Sequence, residues 1–324
     1  MSSIAPDYLS HETLAAIAPI DLRARMIVEG LMIGQHRSPY QGFSVEFAQH
    51  RQYTAGDDTR FLDWKVFGRS DKLYIKQYQK ETNLDLVIMV DASGSMGYSS
   101  LRYDDRGARW RKYDCAASLA AALAYLALQQ QDRVGLVMFS DHMQAVTRMS
   151  NARDHWRTII EMLSTERVDE DRDALIAGGE TQRTTDLARL FDQMTAKLAR
   201  RSLLVLISDL FDTTEAFERG LALLKHRRHD LMVLQTLDHA ELTFPFRSPT
   251  DFIGLENEGK LGLDPAALRQ AYLDSLNAHL QKVEDLTRQF GFDYLLVDSS
   301  QSLGAALGHF LARRAAVAAR KVVK

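Results

Sequence analysis

The chain has 324 residues, 46% of them hydrophobic and 26% charged, enough to bury a sizeable core in one large domain or two modest ones. Its 40 basic and 43 acidic side chains leave a formal net charge of −3, which gives no general electrostatic case for binding nucleic acid or an anionic membrane. One cysteine, Cys115, rules out an intrachain disulfide framework and a cysteine-based zinc site, fits a reducing compartment and, set among alanines, reads as a small core residue.

The N-terminal stretch MSSIAPDYLSHETLAAIAPI lacks a basic segment followed by an apolar core, so no signal peptide is expected. The longest apolar run, LAAALAYLAL at 119–128, falls far short of the ~20 residues that span a bilayer. No membrane span and a cytoplasmic location are expected. Leu22, Met26, Ile27 and Leu31 recur at helical spacing and predict a helix over 13–33. Residues 34–83 carry turn signals (RSPYQG, TAGDD, GRSD) and short alternating stretches (FSVEFAQ, KLYIKQY), which predict a small β-rich segment. Within it Arg51, Asp57, Asp58, Arg60, Asp63, Lys65 and Arg69 alternate in sign around Trp64 and Phe67. That pattern reads as a salt-bridged module fastened to the rest by aromatic burial.

From residue 84 the texture becomes α/β. LDLVIMV (84–90), VGLVMFS (134–140), SLLVLIS (202–208), LMVLQTL (231–237) and FDYLLV (292–297) are near-continuous apolar runs, as expected of strands buried on both faces of a parallel sheet. Helical patterns lie between them, at about 112–130, 153–164, 185–200, 213–227 and 265–290, with a last helix from about 302. Strands alternating with helices predict a doubly wound, mostly parallel sheet. HMQAVTRMS, after the second run, leaves no room for a crossover helix and should return as an antiparallel edge strand; residues 239–263 read as an irregular excursion. The expected division is a helix and β-rich segment over 1–83 packed on an α/β domain over 84–324.

The first apolar run ends in DASGSM, residues 91–96, and LLVLISDLFD places Asp209 at the end of another. In open parallel sheets, ligands bind beyond the carboxyl ends of strands where strand order reverses. If the two strands are neighbours, Asp91 and Asp209 meet in one crevice. Asp91, Ser93, Ser95 and Asp209 present only oxygen, and Thr184 and Thr185 in RTTDL, ahead of a helix, add a third hydroxyl source. Such hard ligands suit Mg²⁺, Mn²⁺ or Ca²⁺. The competing reading is that the serines cap a helix and Asp91 satisfies backbone donors.

D-x-S-x-S at a strand end, a later threonine and an aspartate after another strand resemble the metal-ion-dependent adhesion site of von Willebrand factor A domains. Residues 46–81, KYDCAASLAAALAYLALQQQDRVGLVMFSD (112–141) and FDYLLVDSSQSLGAALGHFLARR (292–314) resemble the domain-of-unknown-function-58 family, in its soluble branch. The resemblance implies a von Willebrand factor A-like core whose ion is bound directly by Ser93, Ser95 and Thr185, and largely through waters by Asp91 and Asp209. A partner's acidic side chain would complete the shell. The glycine usual before the threonine is missing here. The family is associated with MoxR-type AAA+ ATPases in protein maturation or cofactor insertion. The resemblance therefore implies a chaperone-like accessory whose partner is such an ATPase or its client.

The remaining candidates are weaker. DEDRDALIAGGE (169–180) imitates a calcium loop but has Ala174 where the sharp turn needs glycine, so it reads as an acidic surface loop. His226 and His229 read as basic groups at a helix end. Asp141 and His142 are the obvious acid–base pair for a metal-assisted hydrolase at the same crevice. No nucleophile elbow, P-loop, dinucleotide fingerprint or zincin motif accompanies them, so no enzyme is expected. A structural subunit with a vestigial site is the other alternative. The charged stretch GYSSLRYDDRGARWR (97–111) could cover the site, contact a partner or be a solvated loop.

Overall fold

The computed structural model describes residues 14, 17, 19–35, 49–54, 64–70, 72–77, 84–102, 109–165, 187–198, 200–211, 214–248, 250–253, 260–263, 265–304 and 306–312. The chain opens with α1 (Ile20–Gln35), β1 (Gln49–Gln52), α2 (Trp64–Ser70), β2 (Tyr74–Gln77) and β3 (Asp85–Asp91). Next come β4 (Leu101–Arg102), β5 (Arg109–Trp110), α3 (Lys112–Gln129), β6 (Arg133–Phe139), β7 (Met143–Val146), α4 (His155–Thr165) and α5 (Leu187–Lys197). The rest comprises β8 (Leu203–Ser208), α6 (Thr214–His226), β9 (Asp230–Leu237), α7 (His239–Thr243), β10 (Thr250–Ile253), β11 (Lys260–Leu263), α8 (Pro265–Gln289) and β12 (Asp293–Asp298), then a helical segment at 306–312.

Six strands form one sheet in the order β12-β9-β8-β3-β6-β7. Five are parallel, and β7 closes one edge antiparallel to β6, as the short connection required. The apolar runs belong to this sheet because every residue of β3, β8 and β9 is buried, which only a sheet covered on both faces demands. Alternate residues feed two cores. On one face Leu86, Ile88 and Val90 of β3 join α3, α4, α1 through Ala24, Ile27 and Val28, and Leu307 and Phe310 of the C-terminal helical segment. On the other, Val87 and Met89 join Phe191 of α5, Leu221 of α6 and Val283 of α8. The result is the expected doubly wound α/β fold with one antiparallel edge strand. Cys115 lies fully buried in the first core.

The chain passes from β3 outward to β6 and β7, then returns to lay β8 on the other side of β3. Strand order therefore reverses between β3 and β8, and the crevice of such sheets opens at their carboxyl ends. β3 pairs with β8 from Leu86↔Leu203 to Val90↔Ile207, so Asp91 and Ser208 finish their strands side by side.

Elsewhere the fold differs from expectation. β1 and β2 do pair, but α2 interrupts the segment read as β-rich. Its Trp64 is 64% exposed and meets Phe67 edge-on, so these rings do not bury the segment against the core. Asp57, Asp58, Arg60 and Asp63 lie outside the described residues. The excursion after β9 contains α7 and the β10–β11 hairpin. Among the described residues no helix is long and apolar enough to cross a membrane.

Candidate metal site at the strand switch point

Asp91 is the last residue of β3 and is buried. Its Oδ1 accepts the Ser93 amide at 2.9 Å, and its Oδ2 accepts the Ser208 hydroxyl at 2.5 Å. Ser208 Oγ in turn accepts the Leu210 amide at 3.0 Å. This tie across the β3–β8 seam fixes the carboxylate. Burial, and then the nearby charge of Asp209, push the Asp91 carboxyl up to about 7, while the Ser208 and Ser93 bonds pull it back only in part.

Ser93 precedes a 3-10 turn, Gly94–Gly97, at its N-cap position, but its side chain caps nothing. Its hydroxyl lies 3.0 Å from that of Ser95. The capping alternative therefore fails for Ser93, although Asp91 does accept one backbone donor.

Asp209 follows β8 directly. Its Oδ2 accepts the Lys112 ammonium at 2.8 Å, and its backbone carbonyl accepts Gln235 Nε2 at 2.7 Å. Lys112 begins α3, is 0% exposed, and also donates to Glu241 Oε1 at 2.9 Å. Burial works against its charge, but Asp209 and Glu241 outweigh that and hold its pKa above the ordinary value. Glu241 Oε2 accepts the Asp238 amide at 2.7 Å, half of a capping box that starts α7.

Around the mouth, Phe211 is 48% exposed, stacks on His279 and lies 5.2 Å from the Lys112 ammonium. The stretch 97–111 is anchored at both described ends. Leu101 pairs with Trp110, whose buried indole donates to Ser299 O at 3.1 Å. The Ser100 amide and hydroxyl both donate to Asp238. Its described parts are thus fastened to the α7 cap and the end of β12, unlike a loose solvated loop. Asp141 and His142 sit in the β6–β7 turn, bonded to each other at 2.5 Å, with His142 exposed.

The described donors fit a small hard cation. Octahedral Mg²⁺ with oxygens at 2.0–2.1 Å sets neighbouring ligands about 2.9 Å apart, close to the 3.0 Å between the two serine hydroxyls. Asp91 is met by hydroxyl and amide donors, whereas the Lys112 ammonium is bonded to Asp209 and Glu241. A cation would supply the charge that lets Asp91 ionise. Among the described residues no group of three or more His, Cys, Asp or Glu is placed to hold a metal. A site here would therefore depend on hydroxyls. Thr184, Thr185 and the 169–180 stretch lie outside the described residues.

Four contributors escaped the sequence reading: Ser208, Lys112, Glu241 and Gln235. Glu241 had a visible signal, since D-x-x-E at 238–241 is a capping box, but that pattern explains only one of its oxygens. His229 was misread. It is buried, accepts the Ser202 amide on Nδ1 at 3.2 Å, and burial lowers its pKa, so it is a neutral core acceptor and not a cation facing a helix dipole. A second D-x-S-x-S, Asp298 to Ser302, ends β12. There the carboxylate already accepts His239 Nδ1 at 2.9 Å and the Ser300 amide and hydroxyl at 2.8 and 2.7 Å. The spacing alone does not make a site; a second carboxylate across a strand switch distinguishes Asp91.

The chain is similar to known proteins over much of its length. The uncharacterized protein Rv1480 of Mycobacterium tuberculosis is 24% identical over 306 residues, 93% of this chain and 89% of that relative. The crystal structure of the conserved hypothetical protein BatB from Bacteroides thetaiotaomicron aligns with a TM-score of 0.46 at 14% identity, covering 72% of this chain and 99% of that one. An aerotolerance-related membrane protein from Bacteroides fragilis aligns at 0.43 and 14% identity, covering 70% and 98%. Residues 49–282 match the family described as Protein of unknown function DUF58, a span that includes β3, β8 and the whole strand-switch crevice, and the chain belongs to that family.

Proposed function

We propose that this chain is a metal-dependent protein-interaction module rather than an enzyme. Mg²⁺, or Mn²⁺ or Ca²⁺ in its place, is held in the manner of a metal-ion-dependent adhesion site. Ser93 and Ser95 supply hydroxyls, Asp91 and Asp209 supply negative charge, and Thr185 is the third hydroxyl. The observation that carries this reading is the meeting of Asp91, Ser93, Ser95 and Asp209 at the β3–β8 switch point, with the Ser93 hydroxyl turned away from capping. Mostly neutral ligands leave the ion electrophilic, so an aspartate or glutamate from another protein completes its shell.

The family resemblance supports a cytoplasmic accessory to a MoxR-type AAA+ ATPase in protein maturation or assembly, with the ATPase or its client supplying the acid. The test is capture of that ATPase from the same organism by immobilised chain at fixed Mg²⁺. Capture is expected with wild type and is lost with Asp91→Ala, while circular dichroism shows the variant folded. Equal capture by the double variant Asp91→Ala, Ser93→Ala contradicts recognition through the ion.

A further inference from the structure

Lys112 is a fully buried lysine in the first turn of a helix. A cation there opposes the helix dipole, and burying an ammonium is costly unless it is well paired. The helix therefore gives no reason for its presence. Its partners do: Asp209 after β8 and Glu241 in α7, each within hydrogen-bond distance, with the Phe211 ring beside it. Two separate segments, the stretch after β8 with Asp209 and Phe211 and α7 with Glu241, converge on this one charge, and Asp209 in turn acts on Asp91.

We infer that Lys112 is a specificity-determining residue that sets the charge of the loaded crevice, so that it accepts a carboxylate ligand at the expense of metal affinity. This rests on the metal reading above. The charges of Asp91, Asp209 and Glu241 are partly offset by Lys112, and a divalent cation then brings these four groups to neutrality. Without the ammonium, the same crevice would hold the ion more tightly yet keep a net negative charge that repels an incoming carboxylate. Glu241 acts in the opposite sense, since it shares the ammonium with Asp209 and adds negative charge of its own.

Opposite signs for two observables separate this role from a merely structural one. The experiment measures Mn²⁺ affinity by electron paramagnetic resonance of the free ion. It then measures the fall in water-proton relaxation as acetate is titrated onto the Mn²⁺-loaded protein. Lys112→Met should tighten Mn²⁺ by about tenfold or more, equivalent to about 1.4 kcal/mol, and weaken acetate by a similar factor. Glu241→Gln should shift both the other way, and Lys112→Arg should stay near wild type. The Gln and Arg variants decide the matter if Lys112→Met does not fold. Variants indistinguishable from a wild type that binds Mn²⁺, or a loss of both affinities in Lys112→Met and Glu241→Gln alike, overturn the role of Lys112 alone. A wild type with no Mn²⁺ affinity overturns the metal reading and this inference with it.

Discussion

Asp91→Asn should stabilise the metal-free protein at neutral and alkaline pH. The replacement has the same shape: Asn Oδ1 can accept the Ser93 amide, and its NH₂ can donate to Ser208 Oγ, which reverses the wild-type bond and takes away the acceptor of the Ser208 O–H. What it removes is a buried charge. The Asp91 carboxyl is raised from 3.8 to about 7, so folding takes up a proton between those values. The Asp91 contribution to wild-type stability then falls as pH rises through that window, by up to about 1.4 kcal/mol per pH unit, and is flat above it. The ceiling on the gap between variant and wild type is on the order of 4 kcal/mol, and relaxation around the site should leave about 1–3 kcal/mol. At ~2–4 °C per kcal/mol for a chain of this size, the variant should melt several degrees higher at pH 8. The gap should shrink towards nothing at pH 4. Thermal melts of both proteins in chelator across pH 4–8 read it directly. Added Mg²⁺ should raise wild type and leave Asp91→Asn unmoved, closing the gap. A gap that does not change with pH, or a variant less stable at pH 8, refutes the picture of a charge-starved carboxylate.

Three further outcomes follow from the packing and titration of the fold. A Cβ at Gly220 of α6 would lie 2.5 Å from the buried Phe191 ring of α5. Overpacking of ~1–3 kcal/mol should exceed the ~1 kcal/mol of helix propensity gained, so Gly220→Ala should lower the urea midpoint. Asp238→Ala removes the α7 cap and both Ser100 bonds. It should cost about 1–2 kcal/mol by denaturant titration and speed amide exchange across the ends of the 97–111 stretch. Burial lowers the pKa of both His155 and His229. The unfolded chain therefore binds their protons first, and the stability these two groups contribute drains away as pH falls below about 6.5, opposite in sign to the Asp91 contribution. Proton NMR titration should place both rings below the ordinary histidine range, and His229→Asn should flatten the acid limb.

The sheet was legible because its strands are buried on both faces. LVIMV and LLVLI admit no other economical reading once helical patterns lie between them. Asp91 and Asp209 were legible for the same reason, since each interrupts an apolar run where a strand must end. Lys112 was not. Nothing local in WRKYD distinguishes a lysine sunk between two carboxylates from one that reaches solvent, because its partners stand 97 and 129 residues away. Ser208 was hidden inside an apolar run, where its hydroxyl looked incidental until β8 lay beside β3. Trp64 and Phe67 misled in the other direction, because large rings suggest burial whatever surrounds them. The two D-x-S-x-S stretches make the same point: identical spacing at 91–95 and 298–302 leads to different chemistry because His239 and Ser300 already satisfy the Asp298 carboxylate, whereas Asp91 stands at the strand switch under the charge of Asp209.

Divalent-ion binding at the strand switch is tested most directly by anomalous diffraction from crystals soaked in Mn²⁺. A single strong anomalous peak bonded to the Ser93 and Ser95 hydroxyls, with Asp91 and Asp209 around it and Thr185 closing the shell, is the expected result. No peak in that crevice under conditions that saturate exposed carboxylates elsewhere, or a peak that persists there unchanged in Asp91→Ala crystals, would contradict it.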